Sequence, residues 1–420
     1  MVSRAAWDKN MRCRALAGLI LATVLIAVGS SVTRSHTPIA SRWNYNEHLY
    51  PIFRDNCGNC HREGGIAPMS LVTYQEAYPW TQSIREEVLG LRMPPWRAED
   101  GFGDFSNGHA LSAQEMDMIL EWSSGGYPQG PRDLQPEQSS QSTEWALGVP
   151  DVELVMDEAF SIAADVNDVV RYFVLPTSLD DTSFLVGADI MPGASAVVRD
   201  VAIYVDSSGT ARKLDAVDDE AGFGVNTNFP TSAPVALWSP GQQQVLQESV
   251  AHSLAAGSDI VARIHYKKTW ITEGETFSDE TRVGLYFSSD PAVTLASVQV
   301  DSPAVTGNLS LEFSYPIEQA LDVVALLPEV TIAAKDVQIV GTTPTGEEFP
   351  LLFLREPSTA WPTRYWLDAP ISLPAGSSID VTAALHPGAG RNADDSLLGG
   401  DATVPIRLVL DYVPSSPVAN

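Results

Sequence analysis

Two cysteines three positions apart and a histidine directly after them, Cys57-Gly58-Asn59-Cys60-His61, carry the most specific chemistry in this chain. Each thiol can add across a haem vinyl group, and the adjacent imidazole then reaches the iron. The same spacing also serves a redox-active or structural disulfide, or half of a zinc site. No second cysteine pair follows to complete a zinc ribbon, and no thioredoxin-like βαβ pattern surrounds the motif. One covalent haem c is therefore the expected cofactor. A sixth ligand is expected downstream at Met93, 32 residues after His61, in Leu91-Arg92-Met93-Pro94-Pro95-Trp96. Its paired prolines stiffen a loop able to present a thioether. Met69 is the rival ligand, but only eight residues from His61 it is expected to pack against the haem edge. His48 and His109 read as solvated or helix-packing histidines, and Met116 and Met118 as packing residues of a helix.

That helix starts at a capping box, Ser112-Ala113-Gln114-Glu115, runs through Met116, Ile119, Leu120 and Trp122 at helical spacing, and stops at Gly125-Gly126. The order of motif helix, methionine loop and closing helix resembles class I cytochrome c over residues 43–130. The resemblance implies that His61 and Met93 are the axial ligands and that the carbonyl of Pro68 accepts the His61 Nδ1 proton.

Other sulfur and imidazole are scarce: three cysteines, seven histidines and eight methionines in 420 residues. Arg4, Lys9, Arg12 and Arg14 precede an apolar run, Ala15 to Gly29, followed by small residues. This is the layout of a secretory signal, shorter than the ~20 residues a bilayer core needs, with an uncleaved membrane anchor as the alternative. Export to the periplasm fits covalent haem. The formal charge of −28, from 25 basic and 53 acidic residues, argues against nucleic-acid binding. An acidic surface can instead steer a basic redox partner protein.

After a polar linker the pattern changes to short β-rich runs, among them 169–175, 196–205, 259–266, 282–287, 321–327, 379–384 and 406–413, with turn residues between them. The expected fold is multidomain: a small all-α cytochrome c domain (41–130), a linker (131–147) and two antiparallel, jelly-roll-like β-sandwich domains (148–290 and 291–415). Residues 1–31 form the signal peptide or anchor.

The cytochrome portion, Asn56 to Leu71, together with Arg171-Tyr172-Phe173, Met191-Pro192-Gly193, Leu237-Trp238-Ser239-Pro240-Gly241 and Ile264-His265-Tyr266, resembles a fusion of cytochrome c to copper type II ascorbate-dependent monooxygenases. The peptidylglycine α-hydroxylating monooxygenase fold of that family implies two copper sites, with five histidines and a methionine. Here the first site's His-His pair aligns with Val197-Val198-Arg199-Asp200-Val201, leaving His265 as the residual copper-ligand position. The second site's His-x-His aligns with Glu329-Val330-Thr331, and the last methionine is Met191. Copper is not expected, and Arg199 paired with a carboxylate is the candidate source of positive charge in the vacated first site. His265, opposite the apolar face of its strand, reads as a satisfied histidine; His252 reads as surface and His386 as a turn residue. The acidic clusters Asp218-Asp219-Glu220 and Asp394-Asp395 read as solvated loops. No P-loop, dinucleotide loop, nucleophile elbow or EF-hand pattern is present.

The expected function is an exported electron carrier whose β-domains serve docking or recognition, more an electron-transfer protein than an active oxidoreductase. The alternatives are a monooxygenase fed electrons by its own cytochrome domain, and a haem-relay subunit of a larger respiratory complex.

Overall fold

The structure is a computed structural model, and it describes residues 40–134, 144–225, 229, 233–242, 244–247, 249–289, 293–305, 309–358, 360–387 and 404–415. The expected signal segment, most of the expected linker and the Asp394-Asp395 cluster lie outside the described residues. The chain is β-rich, with several antiparallel sheets and few, short helices.

Between Tyr45 and Leu134 the elements are helical: mainly α1 (Tyr50–Asn56), α2 (Thr81–Leu89) and α3 (Ala113–Ser124). The Ser112–Glu115 capping box forms as expected, with Ser112 Oγ accepting from the Glu115 N–H and Glu115 accepting from the Ser112 N–H. Short helices are marginal alone, so their stability comes from packing. Tyr45, Phe53 and Trp122 supply it, with ring centroids 5.7–6.0 Å apart and Tyr45 donating to the Leu71 carbonyl at 2.6 Å.

The first sandwich centres on β1 (Asp168–Pro176), β2 (Val198–Asp206) and β3 (Asp259–Lys267), with β3 between the other two. Facing them is a sheet whose middle strands are Arg282–Phe287 and Ser183–Met191. Ile260, Ala262, Ile264 and Tyr266 enter the enclosed core, as the alternation along β3 dictates. In the second sandwich β4 (Leu321–Val330) pairs with β6 (Tyr365–Leu373) and β7 (Ile406–Pro414), while β5 (Glu348–Arg355) is an edge strand of the opposing sheet.

The sandwiches also pack on each other. The outward face of β1–β3, with Tyr172, Tyr204 and Val261, meets Leu327 of β4 and Val409 of β7 in one buried cluster. Both faces of β3 are thus covered, and every residue from Asp259 to Tyr266 is buried.

Candidate functional site

The cysteine motif continues α1 as a tight turn: Cys57 N and Gly58 N both bond the Phe53 carbonyl, and His61 N bonds the Cys57 carbonyl at 2.8 Å. A Cβ at Gly58 would stand 2.6 Å from the Arg54 carbonyl, so only glycine fits the turn. The chain then loops back, with Leu71 N on the His61 carbonyl at 2.9 Å. This loop aims the Met69 carbonyl at the imidazole, 3.1 Å from His61 Nδ1. The expected acceptor, Pro68, is therefore corrected to Met69. The return turn sets which carbonyl faces the ring, and spacing alone does not reveal it. A carbonyl only accepts, so Nδ1 carries the proton and Nε2 keeps the electron pair that a metal needs.

Cys57, Cys60, His61, Pro68, Met69 and Met93 all line one cavity of about 410 Å³. Ile66, Leu71, Ile84, Val88 and Ile119 make it largely apolar. Both thiols are free and protonated: burial pushes Cys57 up to about 12 and Cys60 up to about 11, with Arg199 and Arg62 partly opposing the rise at Cys60. Both are half-buried, facing the cavity rather than bulk water. Dithiol redox catalysts need the opposite shift, toward thiolate. Size, apolar lining, two thiols and an imidazole lone pair fit a haem attached through thioethers.

The far wall comes from both sandwiches. Cys60 Sγ lies 3.3 Å from the Pro240 carbonyl, and a Cβ on Gly241 would stand 3.3 Å from the same sulfur. Gln242 joins this wall to the second sandwich by donating to the Pro362 carbonyl at 2.8 Å. Arg199 also lines the cavity, its guanidinium 3.9 Å over the Trp361 ring. His109, expected to be solvated or to pack on a helix, bonds the backbone of Asn56 at the end of α1 and also lines the cavity. In the sequence Arg199 and His109 read for other roles and Gln242 and Trp361 for none, because the wall forms only where three parts of the chain meet.

His265 lies outside that cavity wall. It is 4% exposed; Nδ1 meets Asp200 Oδ2 at 2.9 Å and Nε2 meets Asp168 Oδ1 at 2.8 Å. Arg263 bonds Asp200 at 2.9 Å and Lys267 bonds Asp168 at 2.6 Å. The arginine bonded to Asp200 is thus Arg263, and Arg199, expected to pair with a carboxylate, also holds the Asp200 carboxyl down through its charge. A bulge between Val198 and Asp200 sets Asp200 opposite His265 and takes Arg199 out of the ladder. Across the interface Glu329 lies 3.5 Å from Arg407, and Thr331 Oγ1 donates to the Val404 carbonyl at 3.0 Å. Among the described residues no group of three or more His, Cys, Asp or Glu is arranged to hold a metal ion. His252, expected at the surface, instead lines a small cavity with Arg364, and burial, aided by Arg364, pushes it down to about 3.

Burial raises the Asp200 carboxyl, but the His265 hydrogen bond and the Arg263 charge outweigh that and hold it below its ordinary value. At Asp168, Lys267 and His265 likewise overcome desolvation. Carboxylates depressed in the fold stabilise it above their unfolded value of about 3.9, and that stability disappears as pH falls through the folded values. Acid unfolding of the β-region is accordingly expected below about pH 4, with an Asp200→Asn variant showing a flatter acid limb; equal acid limbs in a pH titration of circular dichroism would contradict it.

No family model matches the chain, and no curated protein matches it. Solved structures similar to it include the major capsid protein P2 of bacteriophage PM2 (TM-score 0.27, 9% identity, 64% of this chain and 99% of that one). PBCV-1 VP54, fitted into a reconstruction of the virophage Sputnik, gives TM-score 0.21 at 6% identity over 66% of this chain and 95% of that one. An alpha-amino acid ester hydrolase gives 0.11 at 16% identity over 25% of this chain, which spans about a quarter (24%) of the hydrolase. Scores this low carry no argument about fold or activity.

Proposed function

We propose that the chain is an exported c-type cytochrome that carries one electron on a single covalent haem. Cys57 and Cys60 would hold the haem as thioethers, and His61 and Met93 would supply nitrogen and sulfur ligands to its iron. In this reading residues 41–130 are a small cytochrome c domain, and the two antiparallel β-sandwiches are of the copper type II monooxygenase kind, without copper, serving docking or recognition. The observation that carries the reading is the single apolar cavity onto which both thiols, His61 and Met93 open. The haem supplies a one-electron couple there. Met69 orients the His61 ring through its carbonyl, and the apolar lining excludes water, which favours the less charged reduced state.

The geometry at His265 favours the copper-free version over a working monooxygenase. A copper ligand must offer an imidazole lone pair, and both His265 nitrogens face carboxylates. The test is a reduced-minus-oxidised spectrum with metal analysis on the purified full-length protein after copper loading. One covalent haem and no stoichiometric copper is the expected result. Tightly bound stoichiometric copper with ascorbate-dependent oxygen consumption, or a protein without covalent haem, would overturn the reading.

A further inference from the structure

The chain between Met93 and His109 leaves the helical region and returns to it. After Pro95 it crosses the second sandwich as a strap, with Trp96, Ala98 and Phe105 packed against that sandwich's core. The Trp96 ring lies 5.0 Å from Tyr365, and Phe105 lies 5.5 Å from Tyr365. Ala98 bridges to Leu354 on β5, and Phe105 bridges to Leu367 on β6. These are edge strands of opposite sheets, so the strap closes the open side of the sandwich and covers two edges that would otherwise expose unpaired backbone groups. Glu99 N donates to the Phe353 carbonyl at 2.8 Å and Asp368 N to the Asp104 carbonyl at 2.9 Å. The Asn107 side chain clamps the far end, donating to the Arg364 carbonyl at 2.7 Å and accepting from Trp366 N at 3.1 Å.

Both ends of this strap open on the same cavity. Met93 precedes Trp96 by three residues, His109 follows Asn107 by two, and each lines the wall that Cys57, Cys60 and His61 share. Pro94 and Pro95 fill the gap between Met93 and Trp96, and their fixed φ angles make that connection stiff. A displacement of Trp96 in the sandwich therefore moves Met93 rather than being absorbed by the loop.

We propose that the strap is a positioning device for the iron's sixth ligand: clasped across the second sandwich it presents Met93, and released from the sandwich it yields that position to His109. The inference rests on the haem reading above. Replacing His/Met by bis-His ligation lowers the reduction potential. The state of the second sandwich, including anything bound to it, would then be written into the driving force of electron transfer.

The test uses the full-length holoprotein with Trp96→Ala at one end of the strap and Asn107→Ala at the other. Each should lose the methionine–iron charge-transfer band and shift to a lower midpoint potential, with covalent haem content unchanged. Trp96→Phe, which keeps a ring in the core, should restore both. Adding His109→Ala to Trp96→Ala should abolish the low-potential, bis-His spectrum. Retention of the band and potential in both alanine variants overturns the proposal, as does a Trp96→Ala spectrum that His109→Ala leaves unchanged. A wild-type protein without covalent haem would instead refute the underlying haem reading, which a haem stain on denatured protein reports separately.

Discussion

Replacing Cys57 and Cys60 together with serine is expected to give a protein with no covalent haem and a helical region that no longer holds its fold. The helices around the cavity have 7, 9 and 12 residues. Isolated helices of under about 12–15 residues are marginal in water, so these depend on what they enclose. The cavity of about 410 Å³ that they enclose is largely apolar, so without an attached group its lining stays unpacked and that burial is lost to the helices. The β-sandwiches enclose cores of their own, and they should survive. Limited proteolysis of the double-serine protein should therefore cut between residues 45 and 95 while leaving the β-region intact. Equal protease resistance in both proteins would show that the cavity is not stabilised by an attached group.

The residues of the candidate site were legible in sequence because their chemistry is local: Cys57, Cys60 and His61 form one turn, and the Ser112–Glu115 cap is a four-residue signal. Strands such as β3 were legible through the alternation of Ile260, Ala262, Ile264 and Tyr266. What escaped was the other face of the same strand. Val261, Arg263 and His265 look like an outward face until Leu327 and Val409 cover it, and alternation does not report a partner about 65 residues or more away. The strap escaped for a related reason. It pairs through single bridges at Ala98 and Phe105 rather than through a ladder, so it has no period to read. The Pro68 expectation failed by one residue because carbonyl direction depends on the turn's dihedrals. His252 was misplaced because its surroundings come from three separate parts of the chain, Asn107, the strand Val250–Leu254 and Arg364.

The second large effect is expected at His265, and it separates a structural histidine from a remnant of copper chemistry. His265→Ala removes the imidazole donor at Asp200 Oδ2, deep in the interface, and the donor at Asp168, whose side chain is 43% exposed. Water can replace the donor at Asp168, so that half of the bridge contributes little. Asp200 is buried and keeps its bond to Arg263 when His265 is removed, so the loss there is one buried hydrogen bond to a charged group, about 1.5–3 kcal/mol. His265→Ala should therefore lower the unfolding free energy of the β-region, read from urea denaturation, by an amount in that range. Asp168→Asn should lower it far less, because its carboxylate is half solvated. His265→Gln, which keeps a single amide donor within reach of Asp200, should fall between them. A copper remnant predicts the reverse ordering of consequences: stability little changed by His265→Ala, and loss of bound copper and oxygen consumption instead. Denaturation curves and metal content measured on the same preparations distinguish the two. If His265→Ala melts like wild type, the buried bridge is not what ties β3 to β1 and β2 on this face.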